Sequence, residues 1–232
     1  MKKSILAFTL AAVIPFSSAL ADGLKVGIIT GATGPGASLG IPYKNTFDVV
    51  PKTLGGVPVE YIIVDDATDT TTSVRRARKL IEQDNVDLII GSSSVPTALS
   101  VSEVAAEQKV PQISLSPLPV KAEENPWSYA VPQPINIMMA AVVKNMKEKG
   151  VKSVGYLGFS DSWGELVLAG LKANIEGTDI ELVADERYGR IDTSVAGQVL
   201  KLMAAKPDAV VLGGSGTPGA LPQVSLRERG YK

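Results

Sequence analysis

Short apolar runs rich in β-branched residues recur along the chain with amphipathic segments between them, and this alternation limits the fold more than any other feature. Residues 24–29, 59–64, 87–90 and 112–115 read as strands, followed by 154–157, 180–183 and 209–212. Runs that are apolar throughout, rather than alternating, suit a parallel sheet covered on both faces. Between them, 73–83 places Val74, Ala77, Leu80 and Ile81 on one helical face with Arg75, Arg76 and Lys79 towards water. Segments 99–108, 136–148, 164–175, 194–205 and 221–229 also carry helical periodicity. Strand–helix alternation of this kind predicts βαβ units and an α/β fold.

The stretch Val131-Pro132-Gln133-Pro134 is a candidate boundary, because two prolines this close resist helix and favour extended backbone. It separates four expected strands from three and divides the chain into a first lobe, 22–134, and a second, 135–232. The last helix meets a plausible stop at Gly230, and the chain halts at Lys232 where a further strand is expected. The second lobe therefore reads as C-terminally truncated.

Lys2 and Lys3, the apolar stretch 4–16 and the small residues Ser17-Ser18-Ala19-Leu20-Ala21 form the pattern of a cleaved export signal covering 1–21. Its apolar core is too short to cross roughly 30 Å of hydrocarbon, and no Cys follows it to carry a lipid. A periplasmic location is the expectation. Taking the two leader lysines from 23 basic residues leaves 21 against 24 acidic ones, a charge of about −3. With no basic stripe, nucleic acid and anionic membrane are poor partners.

The sequence contains no His and no Cys. Triads, His-assisted thiol chemistry and His or Cys zinc sites are thereby excluded, and no metal or cofactor is expected. An exported chain without disulfides must draw its stability from its core. Carboxylates, Lys, Tyr and Ser are all that remains for catalysis, and the chain reads as a binding protein rather than an enzyme.

In open parallel α/β sheets, ligands bind outside the carboxyl ends of the strands, and here those positions are rich in Gly and Ser. Residues 30–40 follow the first strand, Gly91-Ser92-Ser93-Ser94 the third, and Ser114 and Ser116 surround the end of the fourth. Phe159-Ser160-Asp161-Ser162-Trp163-Gly164 follows the fifth, and Gly213-Gly214-Ser215-Gly216 the seventh. Hydroxyls and free backbone N–H groups beside helix starts suit an anion such as a carboxylate. Trp163 is a candidate ligand wall, with local packing as the alternative. Gly214-Ser215-Gly216-Thr217-Pro218-Gly219 formally matches a dinucleotide fingerprint, but Pro218 stands inside the turn and no ribose-binding acid follows. Asp65 and Asp66, with Asp69 close by, could do acid–base work or hold a cation; the simpler reading makes Asp69 or Thr70 a helix cap, with the Asp pair at the lobe edge. The basic cluster 75–79 reads as a solvated helix face, and Trp127, after Asn125-Pro126, as structural.

At these residues the chain resembles the periplasmic solute-binding proteins of ATP-driven branched-chain amino acid importers, the type I binding-protein family. The resemblance rests on the T-G-P-x-A-x-x-G loop within 31–40, on 65–69, on Ala77-Arg78-Lys79-Leu80-Ile81, on Ile90-Gly91 with its Ser cluster, on 110–114 and on 160–165. It implies two Rossmann-like lobes joined by a hinge, a ligand clamped between them, and a closed form that docks on a membrane permease. Members of the family bind amino acids, short amides and aromatic or other small carboxylates. In its amino-acid binders a Ser after the third strand and a Ser or Thr after the fourth hold the carboxylate. Val95 and Leu118 align with those positions, with Ser93, Ser94 and Ser116 as neighbours, while Ser215 replaces an aromatic and Leu39 supplies a further wall. These departures weigh against an α-amino acid, and an apolar pocket walled by Trp163 suits an aromatic or aliphatic carboxylate. Two other readings stand beside the solute receptor: the ligand-sensing half of a signalling protein, and a hydrolase built on Asp65 and Asp66.

Overall fold

The computed structural model describes residues 23–231, so the export signal expected at 1–21 lies outside the described residues. The first sheet has six strands in the order β2-β3-β1-β4-β5-β6: β1 Leu24–Thr30, β2 Thr53–Leu54, β3 Val57–Asp65, β4 Leu88–Ile90, β5 Gln112–Ser114 and β6 Ser128–Ala130. All pairings are parallel except the short β2–β3 hairpin. The second sheet is β8-β7-β9, all parallel, with β7 Ser153–Phe159, β8 Glu181–Tyr188 and β9 Ala209–Gly213. Helices α1 Ala37–Thr46, α2 Thr70–Glu82, α3 Val95–Gln108, α4 Ile135–Glu148, α5 Ser162–Ile175, α6 Ala196–Ala205 and α7 Leu221–Glu228 connect the strands. None of the described helices is long and apolar enough to cross a membrane.

β1 is central and apolar on both faces, so alternate residues feed two cores. Ile29 joins Ala77, Leu80, Ile89, Val101 and Val104 under α2 and α3. Val26 and Ile28 join Phe47 and Val59 on the other face. In the second sheet, Val154 and Tyr156 of β7 pack with α4 and α5, while Leu157 and Phe159 pack with α6 and α7. Burial at about 25 cal/mol per Å² of apolar surface is what holds each sheet to its helices.

The two sheets share one plan. The order β3-β1-β4 recurs as β8-β7-β9, with α2 crossing between β3 and β4 as α6 does between β8 and β9. An Asp just before the third strand of each trio holds the start of the central one: Asp87 accepts from the Lys25 amide at 2.7 Å, and Asp208 from Lys152 and Ser153 at 2.9 and 2.8 Å. A glycine in each central strand admits a leucine from the crossover helix. A Cβ on Gly27 would lie 2.9 Å from Leu80, and one on Gly155 2.7 Å from Leu202.

Several elements depart from the pattern read in the sequence. Six strands precede the 131–134 stretch rather than four, because β2 and β6 are edge strands too short to show periodicity. β8 runs on to Tyr188 instead of stopping at 183; as an edge strand it tolerates Asp185 and Arg187. α3 starts at Val95, with Pro96 in the first turn, where proline costs no hydrogen bond. Part of the loop expected at 31–40 is the start of α1, whose apolar stripe is weak and whose interior contains Pro42.

Candidate binding cleft at the carboxyl edges of the two sheets

β1, β3, β4 and β5 are parallel, so the segments that follow them gather at one edge, and the winding reverses between β1 and β4. That reversal opens a crevice where α/β sheets bind ligands. Asp65, at the end of β3, shapes the loop after β1. Its Oδ1 accepts from the amides of Ala32, Thr33 and Ala67 at 2.8, 3.2 and 2.9 Å, and its Oδ2 from the Thr33 hydroxyl at 2.6 Å. Partial burial acts to raise this carboxyl, but the bonds from Thr33, Ala67 and Ala32 outweigh it and hold it below the ordinary value. Asp69 caps α2, accepting from the Thr72 amide at 2.7 Å.

Asp66 is fully buried. Its Oδ2 accepts from the hydroxyls of Ser92 at 2.5 Å and Ser73 at 3.1 Å, and its Oδ1 from the Thr68 amide at 2.9 Å. Burial raises this carboxyl above the ordinary value, and the bonds from Ser92, Thr68 and Ser73 oppose it only in part. Each of the four carboxylate oxygens of the pair accepts at least one bond from the protein, so the two side chains tie the end of β3 to the segments after β1 and β4. Among the described residues, no group of three or more His, Cys, Asp or Glu side chains is placed to hold a metal ion.

The expected first-lobe residues converge on this edge. Ser93 accepts from the Gly31 amide at 3.0 Å, Ser94 pairs with the Thr97 hydroxyl at 2.7 Å, and Thr97 donates to Ser92 at 2.9 Å. Ser116 donates to the Ser92 carbonyl at 3.3 Å, joining the ends of β4 and β5. Val95 is buried at the first position of α3. Leu118 lies apart from the hydroxyls and lines a cavity of about 380 Å³ with Pro117, Pro134, Leu166 and Gly170, beside the connection between the sheets.

The second sheet presents a different edge. Asp161 caps α5 through Oδ1, which accepts from the amides of Trp163 and Gly164 at 2.9 and 3.2 Å. Trp163 therefore sits in the first turn of a helix rather than in a loop, half-buried against both cores of this sheet. Arg190, two residues beyond β8, lays its guanidinium 4.2 Å over the Phe159 ring. Its Nε donates to Asp161 Oδ2 at 2.5 Å and its Nη1 to the Ser215 hydroxyl at 3.3 Å. A strand that ends at 183, where the apolar run stops, leaves Arg190 out of account; with β8 running to Tyr188, Arg190 stands at its carboxyl end.

The two edges meet. The Thr217 amide donates to Ser38 Oγ at 2.9 Å, from the segment after β9 to the start of α1. Gly216, with φ +63°, is what permits the approach: a Cβ there would lie 2.9 Å from Ser38 Oγ and 3.5 Å from Leu39 Cγ. Leu39 is thus placed against the residue following Ser215.

A family model described as a periplasmic binding protein matches residues 23–232. The chain belongs to that family. Its fold is the type I periplasmic binding protein fold, an α/β arrangement of mostly parallel sheets. An extracellular ligand-binding receptor from Rhodopseudomonas palustris HaA2 is similar at 48% identity with a TM-score of 0.88, over 90% of this chain and 59% of that one. The solute-binding protein of an ABC transporter from Rhodopseudomonas palustris BisB5, solved in complex with 3,4-dihydroxybenzoic acid, is similar at 26% identity with a TM-score of 0.80, over 90% and 59%. The Leu/Ile/Val-binding protein homolog 3 of Brucella melitensis biotype 1 is 26% identical over 234 residues, covering 96% of this chain and 62% of the relative. The chain thus spans about three fifths of the length of the proteins it matches.

Proposed function

We propose that this protein is a periplasmic receptor that captures a small carboxylate-bearing solute between two lobes, 22–134 and 135–232, and delivers it to the membrane permease of an ABC importer. The observation that carries the reading is the meeting of two polar strand-end clusters, one from each sheet, across the Ser38–Thr217 hydrogen bond. Ser93, Ser94, Val95 and Ser116 form the wall from the first lobe; Trp163 and Ser215 close from the second, with Leu39 at the seam and Leu118 at the connecting side. The mechanism is capture rather than catalysis. A ligand touching both lobes stabilises the closed state by the difference between its affinities for closed and open forms. Similarity to one protein solved with an aromatic acid and to another named for Leu, Ile and Val supports small carboxylates as the class.

The test is thermal unfolding of the full chain against a panel of amino acids, amides and aromatic acids. A ligand at a hundred times its Kd adds about 2.7 kcal/mol, which raises the melting temperature by about 5–10 °C for a chain of this size. A shift confined to one chemical class identifies the solute. A panel that leaves the melting temperature unmoved counts against the reading.

A further inference from the structure

Among the described residues, three buried side-chain polar atoms have no hydrogen-bond partner in the protein: Ser162 Oγ, Trp163 Nε1 and Arg190 Nη2. All three belong to the carboxyl edge of the second sheet. We propose that they form an anion anchor, which grips the carboxylate of the captured solute with the Arg190 guanidinium as its centre. This inference rests on the solute-receptor reading and adds the group that holds the carboxylate and the side from which it is held.

The chemistry of the atoms fixes the class. Indole and guanidinium nitrogens donate and never accept, so their missing partner is an acceptor; an ammonium or any other cation is excluded at this point. A buried polar group left unpaired is costly, and more so when it carries charge. Three in neighbouring residues therefore point to a partner rather than to chance. Arg190 is held for the task. Only 12% of its side chain is exposed, its Nε is fixed by Asp161, its Nη1 by Ser215, and its plane by Phe159. What remains is Nη2, the buried and unpartnered prong of a fork whose geometry matches a carboxylate. Asp161 balances the guanidinium charge but also serves two amides of α5. The positive end of that helix and the Ser162 hydroxyl at its first position supplement the anchor.

The placement fits the cleft. Ser215, which Arg190 contacts, precedes Gly216, the residue packed on Ser38 and Leu39 of the other lobe. A carboxylate gripped there lies on the side of the second sheet that faces the first.

The experiment pairs acids with their neutral amides on the same carbon skeletons, benzoate with benzamide and 4-methylpentanoate with its amide. Each is titrated by calorimetry and thermal shift into the full chain, Arg190→Gln, and Trp163→Phe, which keeps a ring and removes the N–H. The expected result is that acids bind the unaltered chain about a hundredfold more tightly than amides, and that Arg190→Gln erases this preference. Trp163→Phe is expected to weaken acids about five- to tenfold while leaving amides unchanged. Should Arg190→Gln fold poorly, Trp163→Phe and the acid-to-amide ratio of the unaltered chain still decide. Equal binding of acids and amides, or an Arg190→Gln variant that keeps its preference for acids, would overturn the anchor alone. A chain that neither acids nor amides stabilise sinks the receptor reading as well, so the two failures are distinguishable.

Discussion

The carboxyl edges of the two sheets are built to one plan and finished in opposite ways. After the strand that flanks the central one, the first sheet buries a carboxylate, Asp66, and the second a guanidinium, Arg190. Each is tied to a serine that follows the next strand, Asp66 to Ser92 at 2.5 Å and Arg190 to Ser215 at 3.3 Å. Around Asp66 the hydroxyls of Ser73, Ser92, Ser93, Ser94, Thr97 and Ser116 all have protein partners. Around Arg190 three polar atoms have none. A satisfied polar network fixes a shape, whereas an unsatisfied one is a demand for a partner. The comparison teaches that the first edge is a preformed platform and the second is completed by what binds to it.

The largest expected effect that would break this comparison is on stability. Asp66→Ala leaves the Ser92 hydroxyl and the Thr68 amide without their acceptor in a buried site, while the Ser73 hydroxyl keeps the Asp69 carbonyl at 2.8 Å. It should cost about 3 kcal/mol, since bonds to a charged group are worth about 1.5–3 kcal/mol each and the loss is partly relieved by rearrangement. Urea unfolding of the full chain measures it. An unmoved midpoint would mean that the platform does not depend on its carboxylate, and the contrast between the edges would fall.

A smaller effect sharpens the same contrast through pH. The Asp66 carboxyl is raised above its ordinary value of 3.8 by burial, with the bonds from Ser92, Thr68 and Ser73 opposing. The folded state therefore holds this proton more tightly than the unfolded chain does. The stability this contributes is full below 3.8 and is lost as pH rises through the higher folded value. Asp66→Asn, always neutral, lacks that dependence. Acidification from pH 7 should move the difference between the unaltered chain and Asp66→Asn in favour of the unaltered chain, and parallel urea titrations read the difference.

How far the sequence exposes each edge follows from burial. β1 and β7 are covered on both faces, so their apolar runs are continuous and legible. The Gly and Ser residues after β4 stand directly at the end of such a run, which is why Ser93 and Ser94 are read as site candidates from their position alone. β8 has one open edge and carries the exposed Asp185 and the half-buried Glu186 and Arg187, so its apolar signal stops before the strand does. Arg190 lies beyond the lost portion, so a count from the legible end of the strand does not reach it. Trp163 is legible as an aromatic near a strand end, but only its placement in the first turn of α5 shows that its N–H is buried without an acceptor. Trp127, read as structural, donates its amide to Asn125 Oδ1 at 3.0 Å, and its carbonyl accepts from the Gln112 amide at 2.7 Å, holding the approach to β6.

The smallest effect concerns the seam. The bond from the Thr217 amide to Ser38 Oγ joins the edges at the surface, where both residues are exposed. Solvent replaces such a bond readily, so Ser38→Ala should change stability by about 0.5 kcal/mol or less and solute affinity by less than about threefold. Gly216→Val is the sharper companion. Its side chain would meet Ser38 and Leu39 while the backbone holds φ +63°, a conformation that a β-branched residue adopts at a cost. If the two edges close on a solute, Gly216→Val should weaken binding of acids and amides alike, by about tenfold, without altering the ratio between them. Arg190→Gln should alter the ratio. A Gly216→Val protein that binds like the unaltered chain would show that the seam can open without cost, and that the two edges do not have to meet for the solute to be held.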